Sequence, residues 1–373
     1  MTALSENWKV LCGLFPPDWE ALGKSTGAVA RLRGFESLND VLRTLLLHVG
    51  CGWSLRETAV QAKLAGIADV SDVTLLNRLR QSEDWLRQLC QRLWNDNGVN
   101  LEPGLKSRPV RLIDATTVKE PGKTGSQWRV HYSLRLPSLE CDFFELTPAQ
   151  GKSTGERLGR FRFHAGEVVL ADAGYSHPPG IGEAVRQQAH VCVRLNPASL
   201  PLWDEQGRTF PLLKKLKTLR AGTIADWRVR VHVGEQRIAG RICGVRKSEA
   251  AIERAQRRLR RKQQRKVITA TAKTQEYARY ILVFTTLPSR EVTARQVLDC
   301  YRLRWQIELT FKRLKSVVRL GHIPKQDDQS SRAWLYGKLF VALLSQKLVR
   351  VGSAISPWGY YLPEEATGPQ PVA

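Results

Sequence analysis

The chain changes its hydrophobic period near residue 105, and that change restricts its fold more than any other feature. Before it, apolar residues recur at helical spacing. Leu38, Val41, Leu42, Leu45 and Leu46 fall at i, i+3, i+4, i+7 and i+8, one face of a helix. A second helix is predicted to start at Ser54, a good N-cap, and to break at Gly66. A third starts near Ser71, with Leu75, Leu76 and Leu79 inward and Thr74, Asn77, Arg78 and Arg80 outward. A fourth carries Trp85, Leu86, Leu89 and Leu93. The second and third helices form either a helix-turn-helix, with Thr74, Asn77 and Arg78 toward DNA, or a plain bundle with a polar face. Their connection is longer than the usual tight turn, which favours the bundle.

From Arg108 the texture is that of strands. RPVRLIDATTV, QWRVHYSLRL and DFFELTP are rich in branched and aromatic residues, and PGKTGS and LPSLE supply turns between them. A short helix at GERLGRF, a buried strand at GEVVLADAGY and a helix at GIGEAVRQQAH follow. This β-β-β-α-β-α order predicts an α/β fold with a mixed sheet and helices on its faces. Residues 191–290 read as an inserted β-rich unit, with strands at HVCVRLN, DWRVRVHV, QRIAGRICGV and RYILVFTTLP. Within it, residues 247–266 hold nine basic and two acidic residues on one predicted helix. A solvated face with no partner is one reading of that helix. Contact with DNA phosphates through Arg257, Arg258, Arg260, Arg261 and Lys262 is the other, and the charge of the whole chain favours it. A long helix is expected from Thr293 through Val318. RAWLYGKLFVALLSQKLV is expected to pack under the sheet, and EEATGPQPVA to form a loose tail.

Charge narrows the function. Lys and Arg number 58 against 35 Asp and Glu, a net +23. Such an imbalance is unusual in an ordinary metabolic enzyme and suits a chain that neutralises phosphates and releases their counterions. The longest apolar run, Leu339 to Leu344, is too short to span a membrane, and the first residues lack a signal-peptide pattern. Seven scattered cysteines without CxxC spacing read as idle thiols in a reducing cytoplasm. The two GKST stretches, at Gly23 and Gly151, lack the earlier glycine of a phosphate-binding loop and read as turns. His131 and His177 lie near the acids in sequence, and ordinary partly buried histidine is the simpler account.

Two aspartates close predicted strands: Asp114 ends VRLID and Asp172 ends VVLAD. Either alone fits a turn or helix cap as well. On the helix near residue 300, Tyr301, Arg304, Glu308 and Lys315 fall within an arc of roughly 60°, a stripe about 20 Å long. A carboxylate there suits a metal, and flanking cations suit phosphates. An Arg304–Glu308 ion pair on a solvated face explains two of the four.

The run YRLRWQIELTFKRLK contains Y-x2-R-x3-E-x6-K and resembles the signature of the insertion-sequence transposases of family four, which are DDE transposases. DATTVKEPGKTGSQWRVHYSL is similar to that family's first-aspartate block and ADAGY to its second, with YILVFTTLP leading into the signature helix. The resemblance spans about residues 105–345. It implies a ribonuclease-H-like core with a β-rich insertion between Asp172 and Glu308, which are too far apart in sequence for a compact core. By the same resemblance Asp114, Asp172 and Glu308 would be the catalytic triad, and Tyr301, Arg304 and Lys315 would contact the terminal phosphate and strand end. Two Mg2+ or Mn2+ ions per active site would be the cofactors, because hydrolysis and strand transfer each need attacking and leaving oxygens stabilised.

The expected organisation is therefore a helical DNA-binding region over 1–104 and the first part of the core over 105–190. The insertion with its basic helix follows over 191–290, then the second part of the core over 291–350 and a tail over 351–373. Implied partners are double-stranded inverted-repeat ends and target DNA, with a homodimer assembled on DNA, in the bacterial cytoplasm at the nucleoid and with no membrane. Trp227 is a candidate to stack a flipped base, though a core tryptophan is the simpler reading. Glu156, in a TGE turn before the second aspartate, supports the site from behind or serves a helix N-terminus. The rival functions are a nuclease on the same core that never joins ends, and a catalytically silent DNA-binding regulator.

Overall fold

Helix-period sequence gives helices and alternating sequence gives strands, nearly everywhere the two patterns are clear. The computed structural model describes residues 3–95, 108–119, 127–220, 222–266, 271–325 and 327–355. Its first helices are α1 (Ala3–Cys12), α2 (Trp19–Ser25), α3 (Leu38–Cys51), α4 (Leu55–Leu64), α5 (Asp72–Gln81) and α6 (Glu83–Asn95). Strands β1 (Val110–Lys119), β2 (Gln127–Leu136), β3 (Cys141–Pro148) and β4 (Val168–Ala171) follow, then α7 (Pro178–Arg186) and β5 (His190–Arg194). Next come α8 (Leu212–Lys217), β6 (Ile224–Val233), β7 (Gln236–Arg246), α9 (Glu249–Lys266), α10 (Ala272–Tyr277) and β8 (Tyr280–Thr285). The last helices are α11 (Ala294–Arg302), α12 (Trp305–Ser316) and α13 (Asp328–Ile355). The chain divides into two compact units, 1–98 with 118–127 and 312–373, and 99–117 with 128–311. The PGKTGS turn, within the first-aspartate block, and the EEATGPQPVA tail lie outside the described residues.

The first unit is helical. Ser37, Ser54 and Ser71 cap α3, α4 and α5, each side chain accepting the N–H three residues on. That bond satisfies one of the free donors every helix start leaves. Gly66 breaks the chain after α4 with φ +65°, a conformation glycine adopts without strain. Val41, Leu42, Leu45, Leu75, Leu79, Trp85, Leu86 and Leu89 are fully buried. Each such side chain contributes roughly 1.5–3 kcal/mol. Helix α13, expected to pack under the sheet, packs against α6, α3 and α5. A helix apolar on most faces needs neighbours on most sides, and a bundle supplies them where one sheet face cannot. Arg332 to Glu83 (2.7 Å) and Arg80 to Asp327 (3.0 Å) tie α13 and the turn before it to α6 and α5. Arg78, expected to face outward, is buried, donating to the Arg31 carbonyl and lying over the Phe35 ring. Thr74 is half-buried and Asn77 exposed.

The second unit is built on an eight-stranded mixed sheet of order β3-β2-β1-β4-β5-β8-β7-β6. Strand β4 pairs parallel with β1 on one side and with β5 on the other, and α7 makes the crossover from β4 to β5. β2–β3, β5–β8, β8–β7 and β7–β6 are antiparallel. All four residues of β4 are fully buried, which is why VVLA reads as an unbroken apolar run. The strands read as an inserted unit therefore extend the same sheet. One core cluster runs from Ile113 and Val169 through Val191 to Val229, Ile242 and Phe284.

Candidate active site

Register brings the two aspartates together. β1 and β4 pair in parallel from Val110↔Val168 to Ile113↔Ala171, and the next residue on each is Asp114 and Asp172. Both thus stand at the carboxyl end of a parallel pair, where open α/β sheets bind their ligands. β4 stops there because Asp172 turns the chain. Its carboxylate accepts the Gly174 N–H at 2.7 Å and caps a short 3-10 turn, Ala173–Tyr175. Asp114 does not close its strand as the sequence suggested, since β1 runs on to Lys119. It lies where the parallel partner has ended.

The expected long helix is two. Thr293 caps α11 in a reciprocal box with Gln296, and α11 ends at Arg302. Bonds from Arg304 N to the Tyr301 carbonyl (3.1 Å) and from Ile307 N to the Arg304 carbonyl (3.2 Å) tighten the chain before α12 proceeds. Residues three apart eclipse in such a turn, so Tyr301 and Arg304 keep a common face despite the break. Arg304 donates Nη1 to Asp114 Oδ2 at 3.3 Å and Nη2 to Glu308 Oε1. One guanidinium thereby links the acid of β1 to the acid of α12. Tyr301 is half-buried beside Arg304, and burial pushes its phenol up to about 12. Lys315 is exposed in the last turn of α12, within the stretch that clusters with the helical unit.

Glu156 is a fourth carboxylate at this place. A Cβ on Gly174 would overlap Glu156 Oε2 and stand 3.0 Å from Asp172 Oδ1, so both carboxylates crowd the bare face of that glycine. Bonds to the backbone pin the loop that carries it. Arg129 donates to the Thr154 carbonyl (2.9 Å), Arg160 to Gly155 (3.2 Å) and His177 Nε2 to Glu156 (3.0 Å). His177 Nδ1 accepts the Gly180 N–H, which leaves Nε2 as the protonated nitrogen. A cleft of about 750 Å³ opens along Glu156, Arg157, Arg160, His177 and Arg186.

The electrostatics are those of crowded acids. Burial and the Asp172 carboxylate push Asp114 up to about 7, against the pull of the Ala115 N–H and Arg304. Burial and Asp172 also raise Glu156. Among the described residues neither Asp172 nor Glu156 forms an ion pair. The donors are hard oxygens with negative charge in excess, which is the chemistry a divalent Mg2+-like ion requires. No three His, Cys, Asp or Glu side chains among the described residues stand close enough to share one ion, with Arg304 spanning Asp114 and Glu308. The oxygen donors are of the kind such a cation takes, and the guanidinium balances two of the acids.

The other expected residues divide. Arg257, Arg258, Arg260 and Arg261 are exposed on α9 and make no ion pair among the described residues; the Lys262 side chain lies outside them. Trp227 is half-buried on β6 against the core, 6.1 Å from the Phe210 ring. Trp305, which the sequence reading passed over, is 53% exposed beside Arg304. His131 is fully buried and bonded to Thr147 Oγ1 at 3.0 Å. The cysteines are free, five of them buried. Among the described residues no helix is long and apolar enough to cross a membrane.

A transposase DDE domain family model matches residues 148–344. The chain is 31% identical, over 353 residues, to the putative transposase InsL for insertion sequence element IS186A of Escherichia coli (strain K12), covering 92% of this chain and 94% of that protein. It is 30% identical to the transposase for insertion sequence element IS421 of Escherichia coli, with the same coverage of both chains. The transposase for insertion sequence element IS231C of Bacillus thuringiensis subsp. berliner is 26% identical, over 89% of this chain and 77% of that protein.

Proposed function

The chain belongs to the DDE transposases of insertion-sequence family four, and from that premise we propose that it moves its element by cut and paste. It would cleave phosphodiesters at the element's inverted-repeat ends and join the freed 3′ ends to target DNA. The observation that carries this reading is the pairing of Asp114 and Asp172 at the carboxyl end of one parallel strand pair, with Arg304 joining Asp114 to Glu308.

Asp114, Asp172 and Glu308 would hold two Mg2+ or Mn2+ ions. The chemistry such ions supply when bound is activation of the attacking water or 3′-hydroxyl and stabilisation of both oxygens of the displacement. Arg304, drawn from its carboxylates, presents two N–H donors to the phosphate of the strand end. Tyr301 offers a phenol from the same face. Lys315 adds a charge farther along α12. Tyr301 and Arg304 are half-buried, and partial burial strengthens each contact relative to open water.

The helical region over 1–104 would bind the inverted repeats, and the exposed arginines of α9 would follow the phosphate backbone. The first core part (105–190), the insertion (191–290) and the second core part (291–350) would together form the catalytic body, with 351–373 as a tail. Joining needs two ends held at once, so a homodimer on DNA is the working form. Its place of action is the bacterial cytoplasm, at the nucleoid.

Linear fragments carrying the element's ends, mixed with a target plasmid and Mg2+, test the proposal. Joined product is expected. Cleavage without joining would make the protein a nuclease, and binding without nicking would make it a regulator.

A further inference from the structure

The helical unit holds buried cations that the three-acid site does not use. Lys338, on α13, is 1% exposed. Its ammonium lies 5.0 Å from the Trp334 ring and makes no hydrogen bond or ion pair among the described residues. Lys325, in the turn before α13, is 7% exposed and likewise unpaired among them. The acid two residues on, Asp327, is taken by Arg80 at 3.0 Å and by the Ser330 hydroxyl at 2.6 Å. His48, in the last turn of α3, marks where the two lysines converge. It is buried, and its Nε2 has no hydrogen-bond partner among the described residues. Burial and the charges of Lys325 and Lys338 push its imidazole down to about 4, against the Trp53 carbonyl, so it is neutral at pH 7. Helices α3 and α13 are in close contact here, since a Cβ on Gly337 would stand 3.0 Å from Val49. The surface is near. The charged or ionisable groups that act on Lys338 are Arg319 and Cys51, and both are exposed. A Cβ on Gly52 would stand 3.8 Å from Arg319 Nη1, which puts that guanidinium over the end of α3. Arg319 too forms no ion pair among the described residues.

Burial holds each ammonium down to about 8, which leaves both largely protonated at neutral pH. Buried charges in proteins are normally paired, because an ammonium taken out of water without a counter-charge is costly. An arriving anion would supply the missing partner. A phosphate suits the place, since its several oxygens can accept from two ammoniums and a guanidinium at once. We propose that Lys325 and Lys338, with Arg319 at the rim, seat one backbone phosphate of the DNA this protein binds. This rests on the reading of the chain as a DNA-binding protein. It uses no residue of the three-acid site, and it gives the helical unit a built contact drawn from the turn after α12, the turn before α13 and α13 itself.

Binding of the full chain to a linear duplex carrying the element's inverted-repeat end, measured over a range of salt concentrations, tests the seat. Lys338→Met and Lys325→Gln should each lower the salt slope by about 1 and weaken binding evenly across sequences. Lys325→Arg, which keeps the charge, should hold the wild-type slope. Without DNA, Lys338→Met should melt at or above the wild-type temperature, because it fills the lysine's space and removes an unpaired buried charge. Wild-type slopes in both Lys338→Met and Lys325→Gln overturn the proposal and leave the DNA-binding reading intact. So does a melting temperature that inorganic phosphate raises in the wild type and not in these variants, if their DNA slopes are unchanged; the cluster is then a free-anion site. A wild type that does not bind the duplex at all sinks the DNA-binding reading, and the proposal with it. Were the two lysine variants not to fold, Arg319→Gln on the exposed rim should still lower the slope by about 1, and a wild-type slope there would overturn the proposal.

Discussion

Arg111 and Asp114 are three residues apart on one strand, the first buried and the second half-buried among charges, but the two clusters are composed differently. Arg111 is balanced: Asp142 lies at 3.0 Å and Glu167 at 3.9 Å, Ser133 and the Arg162 carbonyl take its other N–H groups, and Arg135 pairs with Asp142 at 2.9 Å. Asp114 has Asp172 and Glu156 near it and a single guanidinium, shared with Glu308. The first cluster balances its charges without any ligand. The second carries an excess of one sign that costs the free protein stability and that a cation would relieve. Buried charge alone therefore does not single out a candidate site; unbalanced charge at a sheet's carboxyl edge is what singles out Asp114 and Asp172.

The two clusters should differ most when an acid is neutralised. Asp114→Asn and Asp172→Asn should each lower strand-end cleavage on the order of 10³-fold or more, since several kcal/mol of transition-state stabilisation are lost. Their metal-free melting temperatures should not fall. A variant that melts early and still cuts would show that its acid serves the fold.

Arg111→Leu probes the opposite cluster. Stranding the buried Glu167, while Asp142 keeps Arg135, should cost about 3–5 kcal/mol of stability by denaturant titration. The protein that remains folded should cleave at the wild-type rate, and a selective loss of rate would join Arg111 to the site.

A smaller effect follows from His131, on the neighbouring strand β2. Burial, with Arg160 and Arg129 nearby, depresses it to about 3, so it is neutral in the fold and free to charge only on unfolding. The unfolded chain then binds more protons below its ordinary value near 6.5. Stability should fall by about 2 kcal/mol from this group between pH 7 and pH 5. His131→Gln should flatten that part of the pH–stability curve, and an unchanged slope would place the lost protons elsewhere.

The smallest effect belongs to charge that is neither buried nor balanced. Replacing Arg258 on α9 with Gln should reduce the salt slope of DNA binding by about 1 and weaken binding evenly across sequences. Unaltered salt dependence would make that face of α9 a solvated surface.

Local order was legible in the sequence because it obeys local physics. Period, caps and turn residues are properties of neighbours along the chain, so the starts of α4 and α5, the run of β1 to β3 and the apolar β4 could be read directly. Asp114, Asp172 and Glu308 could be singled out as candidates for the same reason, each sitting in a short motif. Packing was less so. Arg78 looks outward on a helical wheel and is buried by Arg31 and Phe35, which no period encodes. The break at Leu303 and Arg304 leaves the signature spacing untouched and is invisible in it.

The elements, and the chemical kinds of side chain at their ends, follow from patterns along the chain. Which of them meet follows from the fold as a whole. The register that brings Asp172 beside Asp114, the choice of α13 to join the helices, and the placing of Glu156 over Gly174 all depend on contacts between residues tens or hundreds apart. Such contacts form only when burial and hydrogen bonding across the whole unit outweigh the entropy of closing long loops, and that balance is not held by any one segment.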